Sequence, residues 1–433
     1  TRQTNSSVSN IFTTTNGSAN VTVNITGHGA NEGDIVTFSG TTGLSGTSFT
    51  AEQFDRSFEI KSITSANAFV IEQDATESTG TATTGTATAV FDISIAPAFS
   101  TFGYGWGTST WNTETWGTAR STSSVTLDGR DWSLDNFGEL LIATALNGST
   151  FQWSPTSDGL TGKASVVTNA PTTSKFSLVS TPDRHLILFG TEKTVGTGSS
   201  QDPLLLRFSS QEDINTYQPA AENTAGSLRI QDGSSIVGAD KARGQILVWT
   251  DTSLHGLQFI GPPFTFGLNQ LGRNCGLLGQ HSAVVVRDVA YWMGQNAFFV
   301  FDGTVKKLPC TVDDFVFENL DLTQSDQIFA GVNTEFAEII WFYVTNPNND
   351  PAPQVNRCVI YNYLEQSWSV GTLNRTSWVD RGVFQFPLAT EYEPNTTANT
   401  TPTAIDNLCA LMLYSYVIYL KISATIIICK HSI

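Results

Sequence analysis

Short apolar runs closed by Gly, Asp or Asn recur along most of the chain, and their periodicity is that of strands. Between Ser18 and Ile95, VTVNITG (Val21 to Gly27), DIVTFSG (Asp34 to Gly40), SFEIKSI (Ser57 to Ile63) and AFVIEQ (Ala68 to Gln73) alternate apolar with polar residues and are separated by Gly-rich turns. They predict a small β module, sandwich-like, over 18–95. STGTATTGTATA (Ser78 to Ala89) has no large apolar residue and reads as a loop or flexible ribbon.

Beyond Ser121 the pattern becomes a repeat: an apolar run, a turn, then a second run ending in aromatics. Its units are FGELLIATALNGSTFQW (Phe137 to Trp153), DRHLILFG with PLLLRFS (Asp183 to Gly190, Pro203 to Ser209), and GQILVWTDTSLHGLQFIG (Gly244 to Gly261). DVAYWMGQNAFFVFDG (Asp288 to Gly303) and AEIIWFYV with RCVIYNYLEQSW (Ala337 to Val344, Arg357 to Trp368) complete five hairpins. Taking Leu140, Leu186, Ile246, Ala290 and Ile339 as equivalent anchors gives separations of 46, 60, 44 and 49 residues, the spacing of four-stranded propeller blades. A lone hairpin cannot bury its apolar face, whereas radially packed blades cover one another and leave only short edges. The expected class is therefore all-β, a β-propeller-like domain over 96–406 with a small N-terminal or inserted β module. A pair of β-sandwiches is the competing architecture.

Composition sharpens this picture. With 433 residues, 40% of them hydrophobic, the chain can bury a large core in more than one domain, and only 14% of it is charged. A formal charge of −17 argues against tight wrapping of nucleic acid, which needs Lys and Arg to displace counterions, but suits a wall past which nucleic acid slides. Five widely spaced cysteines, Cys275, Cys310, Cys358, Cys409 and Cys429, offer neither a CxxC pair nor an even set for disulfides. The chain begins at Thr1 and its first Met is Met293, so residues 1–17 read as the remainder of a leader strand. Residues 407–433 differ in kind: Leu408 to Cys429 has the length of a bilayer span, interrupted by Lys421. The same Ile, Leu, Tyr, Lys and Ser usage is what an out-of-frame translation of AT-rich DNA yields, and that origin is the expectation, with no stable membrane association.

Candidate chemistry is sparse. His28, His185, His255, His281 and His431 lie far apart in ordinary turns or strand edges and read as surface or internally satisfied residues. Asp128, Asp131 and Asp135 in LDGRDWSLDN lack the Gly and Glu of a calcium loop and read as turn-forming. Asp313 and Asp314 are adjacent, so on a strand they would point to opposite faces, and they read as solvated loop charges. GTGSS (Gly196 to Ser200) lacks the Lys of a phosphate loop, and no GxSxG or HExxH occurs. No catalytic residue, metal site or cofactor site is expected, and the chain is not read as an enzyme. Trp106, Trp111 and Trp116, spaced every five residues among Gly and Thr, are either a carbohydrate-stacking platform or a strand and turn packed under the following domain; packing is the expectation.

Several segments resemble the hub or nozzle proteins of short-tailed bacteriophage tails. They are Trp106 to Ala143, LLLRFSSQEDINTYQP (Leu204 to Pro219), Asp288 to Asp321, and VIYNYLEQSWSVG (Val359 to Gly371), in one order over some 270 residues. The resemblance implies a structural virion protein, a homo-oligomeric ring of usually six copies between a portal or adaptor and distal tail proteins. It implies retention of packaged viral DNA and its later ejection through a central channel by passage only, without a cofactor. A glycan- or receptor-binding propeller, adhesin-like and using the Trp106, Trp111 and Trp116 series, is the alternative.

Overall fold

The computed structural model describes residues 2–30, 34–92, 100, 128–129, 131–159, 164–181, 183–261, 264–345, 354–382, 384, 386–392 and 424–428. The chain is all-β and divides into two units, Thr1–Pro97 and Ala98–Ile433.

The first unit is a curled seven-stranded antiparallel sheet. Its strands are β1 (Arg2–Thr14), β2 (Asn20–Asn24), β3 (Ile35–Thr42), β4 (Ser57–Glu59), β5 (Ser62–Ser65), β6 (Ala68–Glu72) and β7 (Ala82–Asp92), in the order β4-β3-β7-β1-β2-β6-β5. The alternating residues Val21, Val23, Phe69 and Ile71 point into a core where Phe12 stacks on Phe54 of the short helix α1 (Ala51–Phe54) at 3.9 Å. Two expectations need correction. The stretch taken as a loop supplies β7, which pairs with β1 on one side and β3 on the other. Its Thr and Ala residues are small because the strand runs against bulky neighbours: at Gly85 (φ +82°) a Cβ would lie 2.9 Å from both Leu44 and Phe12. Residues 1–17, set apart as a leader, contribute the strand beside it, so leader and module are one unit.

The second unit is β-propeller-like, with five four-stranded sheets and one of three strands. Blade 1 holds β8 (Trp132–Phe137), β9 (Leu140–Ala145), β10 (Thr150–Trp153) and β11 (Ser165–Val166). Blade 2 holds β12 (Phe176–Ser180), β13 (His185–Phe189), β14 (Leu205–Phe208) and β15 (Gly226–Arg229). Blade 3 holds β16 (Ile236–Ala242), β17 (Gln245–Thr250), β18 (Ser253–Gly261) and β19 (Thr265–Arg273). Blade 4 holds β20 (Ala283–Val286), β21 (Val289–Met293), β22 (Phe298–Phe301) and β23 (Val305–Lys307). Blade 5 holds β24 (Phe329–Asn333), β25 (Glu338–Tyr343), β26 (Arg357–Asn362) and β27 (Ser367–Gly371), and the sixth sheet β28 (Ser377–Val379), β29 (Leu388–Tyr392) and β30 (Ala424–Ile428). Each sheet is a meander in chain order, and its first strand packs on the first strand of the next.

The continuous apolar runs follow from this packing. Successive side chains of a strand point to opposite faces, and in an inter-blade strand both faces are buried. On β13, Leu186 and Leu188 join Ile142 and Phe137 of blade 1, while Ile187 and Phe189 join Ile246 and Val248 of blade 3. Leu247 and Trp249 then meet Ala290 and Trp292 of blade 4, and Trp341 and Tyr343 of β25 meet Met293 and Phe298. Tryptophan N–H groups staple blades to their predecessors: Trp292 donates to the Cys275 carbonyl at 2.9 Å, Trp341 to Ser282 at 3.0 Å and Trp378 to Val332 at 2.8 Å. Each satisfies a buried donor that would otherwise cost about 1–3 kcal/mol.

Asp313 and Asp314 are not loop residues; they open the helix α2 (Asp313–Asn319), where carboxylates favour the positive end of the backbone dipoles. Of residues 407–433, only the backbone of β30 is described, paired with β29, and no helix among the described residues is long and apolar enough to cross a membrane.

Candidate functional site at the propeller axis

The residue that introduces the first strand of a blade stands at one end of the axis, and in this chain that position is repeatedly polar. Asp131 precedes β8, Lys175 precedes β12, Ser235 precedes β16, His281 lies two residues before β20, and Asp326 three before β24. Lys175 Nζ donates to the Ser235 hydroxyl, joining blades 2 and 3. His281 Nε2 lies 3.1 Å from Asp131 Oδ1, joining blades 4 and 1. Asp326 accepts a hydrogen bond from Ser100 Oγ at 2.8 Å, and the same hydroxyl accepts the Gly129 N–H at 2.8 Å. Further along the axis Lys241 of β16 reaches Asp135 of β8 at 2.6 Å, and Asp135 also accepts the Val179 N–H of β12 at 2.8 Å.

These groups perturb one another. Burial opposes charging His281, yet the carboxylates of Asp131 and Asp240 outweigh it and raise its pKa. Solvent nonetheless reaches 43% of the His281 side chain, so the axis is wet at this end. Burial raises Asp326, reinforced by the negative charges of Asp128 and Asp131 and opposed by Lys175. Burial likewise raises Asp240, against the pull of Lys241. The axis therefore carries an excess of carboxylate over ammonium groups, held in check by hydrogen bonds and local cations.

Asp131 and Asp135 thus do more than form turns: they tie non-adjacent blades together. His281 is an ion-pair partner, whereas His28 is internally satisfied, with Nε2 facing the Ser65 carbonyl at 3.1 Å and Nδ1 accepting the Ala30 N–H at 3.1 Å. His185 is fully buried and held near pKa 4 by that burial, and His255 pairs with the Ser253 hydroxyl at 2.9 Å. The short Gly198–Ser200 turn of GTGSS is a 3-10 segment without a phosphate cradle. Lys175, Asp240, Lys241 and Asp326 carried no sequence signal as single residues; aligning the blades and reading the residues just before each first strand would have found Lys175 and Asp326, whereas Asp240 and Lys241 lie inside β16. Trp106, Trp111, Trp116 and His431 lie outside the described residues.

Among the described residues no second site competes with the axis. Among the described residues, no group of three or more His, Cys, Asp or Glu residues is placed to hold a metal. A shallow cleft of about 490 Å³ between blades 2 and 3 is lined by Arg229, Asp232, His255, Gln270 and Arg273. Its polar groups are engaged internally: Arg229 Nε with Asp202 at 2.9 Å, Arg273 Nε with Gln270 at 3.1 Å, and Gln270 with Asp232 at 2.5 Å. Burial raises the thiols of Cys275 and Cys358 to about 11, which leaves them protonated and unreactive.

No family model matches the chain, and no curated protein matches it. Among solved structures, the computationally designed Ika8 protein aligns over 61% of this chain and 68% of its own at 9% identity, with a TM-score of 0.36. BamB from Moraxella catarrhalis aligns over 60% of this chain and 79% of its own at 14% identity and a TM-score of 0.31. The phage phi92 endosialidase aligns over 81% of this chain at 12% identity and a TM-score of 0.22, and this chain spans about half of its length, 48%.

Proposed function

We propose that this chain is a structural component of a bacteriophage tail, a hub or nozzle protein that forms a ring below the portal, retains packaged DNA and passes it to the host. The scaffold half of this reading is carried by one observation: the titratable groups gathered at the axis hold blades together. They form cross-blade pairs, Asp131 with His281 and Asp135 with Lys241, beside the contact of Lys175 with Ser235 between blades 2 and 3. The tail half rests on the resemblance of Trp106 to Ala143, Leu204 to Pro219, Asp288 to Asp321 and Val359 to Gly371 to such proteins. The last three of these fall on blade strands and their connections, where a scaffold would keep its packing residues. The net charge of −17 fits a surface past which DNA moves without sticking.

The test is co-assembly. Mixed with the portal–adaptor complex of its own phage, the chain is expected to form a stoichiometric ring seen by electron microscopy, and virions lacking it are expected to lose their DNA. A chain that stays monomeric beside its adaptor ring, or that hydrolyses host polysaccharide in a carboxylate-dependent manner, would overturn the reading.

A further inference from the structure

The contact of Lys175 with Ser235 joins blades 2 and 3, and it also sets an amine against a hydroxyl. The Lys175 side chain is fixed from two sides. Its stem lies on the bare backbone of Gly190 (φ +57°), where a Cβ would come 2.8 Å from Lys175 Cγ. Its Nζ donates to Ser235 Oγ and, at 3.4 Å, to the Ile236 carbonyl. Ser235 is held by Asp251, whose Oδ1 accepts the Ser234 and Ser235 N–H groups at 2.8 and 3.4 Å and whose own N–H donates to the Ser235 carbonyl at 3.1 Å. Both Lys175 and Ser235 are half-buried, so solvent still reaches them.

An amine acts as a general base only in its neutral form, and an ordinary lysine is almost wholly charged at neutral pH. Burial is the largest influence on Lys175 and lowers its pKa, while the charges of Asp128, Asp326 and Asp251 pull the other way and offset this only in part. The neighbouring hydroxyl is a contrast: Ser234 is exposed, and its Oγ donates to Asp251 Oδ2 at 2.6 Å, a carboxylate whose pKa is lowered and which is therefore a weak base. We propose that Ser235 and Lys175 form a nucleophile–base pair that takes up an acyl group from an ester. The hydroxyl proton passes to the neutral Lys175 amine as Ser235 Oγ bonds to the acyl carbon. The ester C–O bond then breaks, and the leaving alkoxide takes the proton from the Lys175 ammonium. An O-acyl serine and a free alcohol result, with the amine neutral again. Between the two steps the ammonium stands beside the negative tetrahedral centre and stabilises it. The tail reading plays no part in this, since a joint of a scaffold and an acyl acceptor are compatible roles for one pair.

The probe is p-nitrophenyl acetate, added to the full chain. A burst of nitrophenol is expected, with acetyl found by peptide mass spectrometry at Ser235 and much less at Ser234, and Ser235→Ala should abolish the burst. Lys175→Arg keeps a donor toward Ser235 Oγ and the Ile236 carbonyl but does not give up its proton, so it should melt close to the native chain while acetylation slows by about a hundredfold. In the native chain the rate should rise with pH as Lys175 loses its proton and level off below the ordinary lysine value of about 10.4. Acetyl on Lys175 in place of Ser235, Ser235 labelled no faster than Ser234, or a rate that climbs with hydroxide without levelling off would overturn the proposal. Should Lys175→Arg fail to fold, the Ser234 comparison and the pH profile of the native chain decide.

Discussion

His281 and Asp131 meet at 3.1 Å although 150 residues separate them, and the contact joins the leading ends of blades 4 and 1. Its dependence on pH has a definite sign. The raised pKa of His281 means that its contribution is fully present below the ordinary histidine value of about 6.5 and is lost as the pH rises through the raised value. Asp240 and Asp326, also raised, bind protons more readily folded than unfolded, so the folded state gains stability as the pH falls through their raised values. All three effects run in one direction. Buried His185 and His255, both held below the ordinary histidine value, act in the opposite sense, so the pair is read by difference: the stability advantage of the native chain over His281→Gln should be larger near pH 6 than at pH 8. The loss is small, about 0.5–1 kcal/mol, because solvent screens the pair. Equal slopes of melting temperature against pH in both proteins would refute the assignment.

Asp135 gathers three blades: it belongs to β8, pairs with Lys241 of β16 and accepts the Val179 N–H of β12. Lys241→Met removes the cation and leaves a largely enclosed carboxylate with only the Val179 and Asn136 N–H donors, at an expected cost of about 1–3 kcal/mol in denaturant unfolding. Adding Asp135→Asn should recover part of that loss. A coupling energy indistinguishable from zero in the double-mutant cycle would mean that the pair holds nothing together.

The N-terminal unit titrates in the opposite sense. Glu77 is 1% exposed, and burial alone would raise its pKa. Hydrogen bonds from the Thr47 and Ser48 hydroxyls and the Ser48 and Thr79 amides more than compensate and lower it to about 2. Because the folded pKa is depressed, this contribution is present above the ordinary carboxylate range and is lost as the pH falls toward 2, with an upper figure of about 3 kcal/mol. In the full chain, Glu77→Gln should lower hydrogen-exchange protection across Thr1–Pro97 at pH 7 and leave blades 2 to 5 unaffected. Loss of protection spread evenly over both units would show that Glu77 is not a local clamp.

The blades were legible because a strand buried on both faces writes itself as an unbroken apolar run. The anchors Leu140, Leu186, Ile246, Ala290 and Ile339 all fall within the first two residues of a second strand, β9, β13, β17, β21 and β25. β7 was not legible, since a strand closely packed between β1 and β3 needs small residues, and Thr and Ala in alternation with Gly carry the signature of a loop. Nor could the axial pairs be read, because each polar side chain finds its partner through closure of the whole unit: Lys241 and Asp135 are 106 positions apart. Local pattern encodes the blade, while the axis exists only once blades are assembled.

That dependence of the axis on close blade packing yields the most severe single substitution. Gly276 lies between β19 and β20, where the chain passes from blade 3 to blade 4, beside the Cys275 carbonyl that receives the Trp292 N–H. A Cβ at Gly276 would fall 1.9 Å from the Asp251 carbonyl oxygen and 2.7 Å from the Thr252 nitrogen. Both obstacles are backbone, so no rotamer change relieves them, and the turn of the Thr250–Ser253 hairpin must shift. Gly276→Ala should therefore cost about 3 kcal/mol or more, a fall in melting temperature of at least roughly 4 °C for a unit of this size. Gly244 provides the contrast: it turns β16 into β17 at φ +74° with nothing near its Cβ position, so Gly244→Asn, a residue that tolerates this backbone region, should cost well under about 1 kcal/mol. Matched melting curves of the two variants check the argument, and a Gly276→Ala protein as stable as Gly244→Asn would show that the junction of blades 3 and 4 is not packed as described.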